Sequence, residues 1–130
     1  MATSSATFHE DPAQLSTATL DRHRALVSIM EELEAVDWYD QRLEVAHDEE
    51  LREILRHNRD EEKEHAAMTL EWLRRHDPVF DAHLRRYLFT DKPVVLIEEE
   101  TEHGNHTTDA AADNEGSLNI GSLRNMADAL

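Results

Sequence analysis

Between Pro12 and Pro78 this chain contains neither glycine nor proline. The two residue types that most readily interrupt a helix are missing over a stretch long enough for two helices of about thirty residues each. The whole sequence of 130 residues holds three prolines and three glycines, and the glycines (Gly104, Gly116, Gly121) all fall near its C-terminal end. An all-α fold follows. The first helix is expected to open at Ser16 or Thr17 and run to about Ala46, with Leu26, Ile29, Met30, Leu33, Val36 and Leu43 stepping by three and four. The second runs from about Asp48 to His76, with Leu51, Ile54, Leu55, Met68, Trp72 and Leu73 on one stripe. Asp77 then reads as an N-cap and Pro78 as the first position of a shorter third helix, which carries Val79, Phe80, Leu84, Tyr87 and Leu88 and stops by Asp91-Lys92-Pro93.

Helices of that length are roughly 45 Å long. Two of them and a stub form an antiparallel hairpin with one exposed apolar face, too thin to bury its own stripes. A second copy is expected to complete a four-helix bundle about a two-fold axis. Residues 13–97 are taken as this half-bundle. Residues 1–12 read as a disordered N-terminus, 98–116 as an acidic disordered linker, and 117–130 as a C-terminal peptide and end.

Charge narrows the partners. The chain has 29 Asp+Glu against 13 Lys+Arg, a formal charge of -16. A nucleic-acid partner needs a basic face and an anionic membrane disfavours this surface, so neither is expected. No cysteine is present, which removes disulfides, thiolate-held zinc and iron–sulfur clusters. The N-terminal segment shows no basic and apolar signal pattern, so a soluble cytoplasmic location is expected. The charge divides into -9 for residues 1–97 and -7 for residues 98–130.

Chemistry concentrates on the second helix. Glu62 and His65 interrupt its stripe at i, i+3 and point the way the apolar residues point. Such a carboxylate and imidazole are costly to shield unless paired or bound to a metal. Glu-x-x-His occurs three times, at Glu44/His47, Glu62/His65 and Glu100/His103, and only the middle one lies mid-helix on the stripe. Glu32 precedes His47 by as many residues as Glu62 follows it, so a hairpin turn there puts both carboxylates at one height. One Glu plus one Glu-x-x-His is half of a di-iron carboxylate ligand set. A two-fold axis supplies the other half, the same demand the apolar stripe makes. The competing reading is a buried hydrogen-bonded network or a solvated face.

Three further groups stay open between two readings each. Tyr39, one heptad along from Glu32, is either a redox or hydrogen-bonding neighbour of the ligands or an interface aromatic. Glu31 and Glu34, with Trp38 beside them, form either a hard-cation site when paired across a two-fold axis, for Ca²⁺ or for passing Fe²⁺, or a solvated acidic face. His57, Glu61 and Glu64 are either a weak metal site or surface charge pairing.

The segments EELEAVDWYDQR (Glu31 to Arg42) and HNRDEEKEHAAM (His57 to Met68) closely resemble the two motif blocks of the encapsulated ferritins. Leu88-Phe89-Thr90 and the Pro93 segment resemble the family's third-helix end, so the likeness spans roughly residues 8–97. In the tail, Leu118, Ile120, Gly121, Ser122 and Leu123 lie in LNIGSLR, which resembles the short peptide that loads cargo into encapsulin shells. Its apolar anchors suit docking as an extended strand. Six residues follow Arg124, where such peptides usually lie nearer the chain end.

The resemblance implies a ferroxidase that oxidises Fe²⁺ to Fe³⁺ with O₂ at a di-iron centre shared by two subunits. It implies five dimers in an open decameric ring, working inside an encapsulin nanocompartment that stores the mineral. It assigns Glu32, Glu62 and His65 as iron ligands and Tyr39 as the nearby tyrosine. Glu31, Glu34 and Trp38 match the metal-access site, with His57, Glu61 and Glu64 as a secondary surface site. A rubrerythrin-like peroxidase is disfavoured by the missing cysteines. A non-catalytic acidic scaffold or calcium buffer is the alternative of a different class.

Overall fold

In a computed structural model, which describes residues 7–109, the chain is all-helical, with no strand among the described residues. The helices are α1 (Thr17–Val45), α2 (Glu49–His76), α3 (Pro78–Tyr87) and α4 (Val94–Asp109), preceded by a short 3-10 turn at Pro12–Gln14. They fall into two compact units, Met1–His76 and Asp77–Leu130.

The first unit is a hairpin of α1 and α2. Ser16 caps α1, its Oγ accepting from the Thr19 N–H at 3.1 Å. At the turn, Asp48 Oδ1 accepts from the Leu51 N–H at 2.8 Å and starts α2. Arg52 reaches back to finish α1: its Nη1 donates to the carbonyls of Leu43 at 2.6 Å and Ala46 at 3.0 Å. A cation on the last carbonyls of a helix satisfies orphan acceptors and opposes the negative end of the dipole.

The seam between the helices has heptad spacing. Ala25, Ile29, Glu32, Val36, Tyr39 and Leu43 of α1 meet Arg52, Leu55, Arg59, Glu62, Ala66 and Leu73 of α2, all buried or half-buried. The apolar residues read from the sequence as one exposed face divide differently. Leu26 and Leu33 each follow a seam position on α1, with Met30 beside them, whereas Leu51 and His65 each precede one on α2, with Ile54 and Met68 beside them. Because α2 runs antiparallel to α1, those two offsets lie on opposite flanks of the hairpin. Leu26, Met30, Leu33, Leu51, Ile54 and Met68 are all exposed. The hairpin therefore leaves apolar surface on two sides, not one.

The expected disorder of residues 1–12 does not hold for the part described. Asp11 Oδ1 accepts from the Ala13 N–H at 3.0 Å, which sets up the turn at Pro12. Phe8 stacks on His23 with ring centroids 4.4 Å apart, tying the segment to α1.

The second unit begins as expected. Asp77 Oδ1 accepts from the N–H groups of Val79 at 3.1 Å and Phe80 at 3.0 Å, with Pro78 at the first helical position. After α3, Phe89 adopts φ 59° with its side chain fully exposed, in the left-handed position usually given to glycine. The linker expected from residue 98 is instead helical as far as Asp109. Glu98, Glu99, Glu100 and Glu102 are good helix formers. Pro93 starts the turn by accepting from Leu96 at 3.0 Å, and Lys92 Nζ pairs with Glu100 Oε2 at 3.1 Å. The C-terminal peptide, Leu118 to Leu123, lies outside the described residues.

Candidate metal centre

The hairpin register brings Glu32 of α1 opposite Glu62 of α2. His65, one turn after Glu62, leans over the same flank. His65 Nδ1 lies 3.4 Å from Glu62 Oε2 and 3.7 Å from Glu32 Oε2. One ligand atom from each residue can be chosen so that all three lie within 4.8 Å of one another. Among the described residues, no other group of three or more His, Cys, Asp or Glu side chains converges this way. The side chains of Glu32 and Glu62 are 27% and 24% exposed, and that of His65 is 47% exposed. The site is thus half-sunk in the seam and opens on one flank.

Its electrostatics are those of crowded acid. The Glu32 carboxyl is held above its ordinary value of 4.5, first by a hydrogen bond with Glu62, then by burial and by the charge of Glu62. His65 works against this and Glu31 adds to it. Two carboxylates that close favour sharing a proton. A divalent cation held there would take the place of that proton and neutralise both charges. Two carboxylate oxygens and an imidazole nitrogen suit Fe²⁺ and other borderline divalent metals, and leave coordination positions open.

The remaining sequence candidates are not drawn into this group. Tyr39 sits half-buried in the seam, about 10 Å along the helix axis from Glu32, with the Arg42 guanidinium over its ring at 5.4 Å. Glu31, Glu34 and Trp38 are exposed on α1. His57 Nε2 pairs with Glu61 Oε1 at 3.1 Å, while Glu64 is not gathered with them into a three-ligand group. The sequence reading missed a charged network beside Glu62. Arg59 bridges Asp40 of α1 and Asp60 of α2, each at 3.0 Å. The adjacent Arg-Asp pair at a seam position was the available clue.

Comparison with known proteins bears on the family and the fold. The profile of the EncFtn-like family matches residues 7–91. An encapsulated ferritin-like protein of Rhodospirillum rubrum is 56% identical over 132 residues, covering 98% of this chain and 94% of that one. A ferritin-like protein of Thermotoga maritima is 56% identical over 101 residues, covering 78% of this chain and 89% of its own. An encapsulin nanocompartment cargo protein of Myxococcus xanthus is 30% identical over 123 residues, covering 90% and 95%. A crystal structure of a protein from Nitrosomonas europaea superposes with a TM-score of 0.66 at 60% identity, covering 67% of this chain and 96% of that one.

Proposed function

The chain belongs to the EncFtn-like family, and from that premise we propose that it is a ferroxidase whose iron site is completed by a second copy. The observation that carries the reading is the convergence of Glu32, Glu62 and His65 on an open apolar flank. Their donor set fits Fe²⁺, which is the substrate. Two Fe²⁺ give one electron each to O₂, which takes up two protons from solvent and leaves as hydrogen peroxide, while both irons leave as Fe³⁺. The chain's own part is to bind and hold. Glu32 and Glu62 supply the negative charge that draws the cation in and stabilises the ferric product more than the ferrous reactant. His65 adds a neutral nitrogen donor, and the seam fixes all three by their backbones.

One chain offers three protein ligands, too few for a pair of iron ions. A two-fold partner on the flank of Leu51, Ile54 and Met68 supplies the same three again. That partner also covers apolar surface that is otherwise wet. The opposite flank, with Leu26, Met30 and Leu33, needs a different contact, which supports a closed ring of dimers such as the decamer over an isolated pair. Glu31 and Glu34 with Trp38 are proposed as a metal-access site, with Ca²⁺ or Fe²⁺ as its ion. His57, Glu61 and Glu64 are proposed as a secondary site, and Tyr39 as a redox neighbour of the ligands. The relatives named for encapsulation extend the reading to a chain working inside an encapsulin nanocompartment and passing Fe³⁺ on for mineral storage. Leu118, Ile120, Gly121, Ser122 and Leu123 would dock it to the shell protein. No helix among the described residues is long and apolar enough to cross a membrane.

Aerobic oxidation of added Fe²⁺, followed by ferric absorbance, tests the activity. Wild type is expected to oxidise well above the buffer rate, and Glu62→Ala to fall to it. A Glu62→Ala variant at the wild-type rate defeats the assignment. Fe²⁺ that binds the wild type and stays ferrous in air identifies a metal-binding scaffold instead.

A further inference from the structure

Arg59 precedes Glu62 by three residues on α2, so the two side chains are neighbours on the helix surface. The Arg59 side chain is 21% exposed at a seam position, close to the turn that carries the ligands. An arginine so placed is a ready partner for a carboxylate, and a guanidinium on Glu62 would occupy the lone pairs a metal needs. It is engaged elsewhere. Nη1 pairs with Asp40 Oδ1 across the hairpin at 3.0 Å, and Nε pairs with Asp60 Oδ1 at 3.0 Å. Asp60 Oδ1 also lies 3.5 Å from the Nζ of Lys63, the residue directly after Glu62. Asp40 and Asp60 each follow a seam residue, Tyr39 on α1 and Arg59 on α2. Asp40 therefore lies on the flank opposite His65, and Asp60 faces that same far side. The two cations that flank Glu62 in the sequence, Arg59 and Lys63, thus pair on the side away from His65. No Arg or Lys is among the groups that act on the Glu32 carboxyl.

We propose that Asp40 and Asp60 are positioning residues for the metal centre, which divert Arg59 from Glu62 and so keep the ligand carboxylate free for a divalent cation. The proposal rests on the metal reading of Glu32, Glu62 and His65. It differs from a simple structural tie between helices in the sign of its effects. If the tie mattered, losing Arg59 would be as harmful as losing its acids. If diversion matters, losing the acids harms binding and losing Arg59 as well repairs it.

Equilibrium dialysis of anaerobic Fe²⁺ against the full chain separates these, with helicity of each variant checked by circular dichroism. Asp40→Asn with Asp60→Asn should weaken Fe²⁺ binding by roughly three- to fivefold, the upper end of the range for a single exposed charge pair. Adding Arg59→Gln to that variant should return the affinity to within about twofold of wild type. Glu44→Gln with Glu53→Gln removes the same net charge from exposed positions and frees no arginine, so it should also stay within about twofold. If the double Asp variant loses its helicity, Asp40→Asn alone, with and without Arg59→Gln, reads the same sign at smaller size. Wild-type affinity in the acid-stripped variant, no recovery with Arg59→Gln, or an equal loss in the Glu44/Glu53 control each overturns the proposal. Failure of the wild type to bind Fe²⁺ overturns the metal reading beneath it.

Discussion

Replacing Glu32 by glutamine should make the metal-free protein more stable while taking away its gain from metal. Glu32 and Glu62 offer carboxylate oxygens within 4.8 Å of each other. Two unit charges at that distance repel by about 0.9 kcal/mol in bulk water and by about 3.5 kcal/mol at an effective dielectric of 20. Roughly a quarter of each side chain is exposed, so solvent screening places the expected gain near the lower figure, about 1 kcal/mol. Glutamine keeps the shape and one hydrogen bond and removes the repulsion. For a small domain that is a rise in melting temperature of about 4–8 °C.

The pH dependence has a fixed sign. The folded-state pKa of Glu32 is raised above 4.5, so protonation is favoured by the fold. Stability from this group is whole below pH 4.5 and is lost as pH rises through the folded value. Wild type and Glu32→Gln should therefore melt together in acid and diverge toward neutrality, with the variant higher. Thermal melts in chelator, at one protein concentration across that range, measure the gap. With a divalent metal in excess the order reverses, because only wild type gains binding energy. A Glu32→Gln variant that is less stable than wild type in chelator at neutral pH would refute the crowded-carboxylate account. So would a gap that persists unchanged in acid.

Two further substitutions test the two flanks of the hairpin. Ile54→Glu should leave a helical monomer that neither dimerises nor oxidises Fe²⁺. Leu26→Glu, on the other side, should stop assembly at a dimer that still oxidises. Light scattering with the oxidation assay distinguishes them, and loss of activity in both would merge the flanks into one interface. Arg52→Ala should destabilise the hairpin by about 1–3 kcal/mol, since two carbonyls at the end of α1 lose a charged donor. Urea unfolding measures that loss, and Arg52→Lys should recover part of it.

The helices and the clustering of Glu32, Glu62 and His65 were legible for local reasons. A gap between prolines, caps at Ser16 and Asp77, and a Glu-x-x-His on a stripe are all short-range signals. Equal spacing about His47 was enough to pair Glu32 with Glu62. What the sequence could not show was sidedness. Leu26 and Leu51 both belong to apolar stripes, but which flank each occupies depends on the seam, and the seam is set by small and polar residues such as Ala25, Ala66 and Arg59. Hydrophobicity alone points to the larger side chains and merges two surfaces into one. The helical continuation past Ile97 was missed for the opposite reason. A run of glutamates has high helix propensity and no stripe, so charge was read as disorder. The diversion of Arg59 depends on a contact between α1 and α2 that spacing on one helix does not reveal.

The extension of α4 to Asp109 bears on delivery. Residues 98–109 occupy about 18 Å as helix, where an extended segment of the same length could cover about 40 Å. In the proposed cargo role, the helix therefore takes about 20 Å off the reach that residues 98–109 would have as an extended segment. A chain docked through its C-terminal peptide would then be held nearer the shell wall than an extended segment would allow. Under the proposed ferroxidase reading, mineral growth would then begin nearer the periphery of the compartment than its centre.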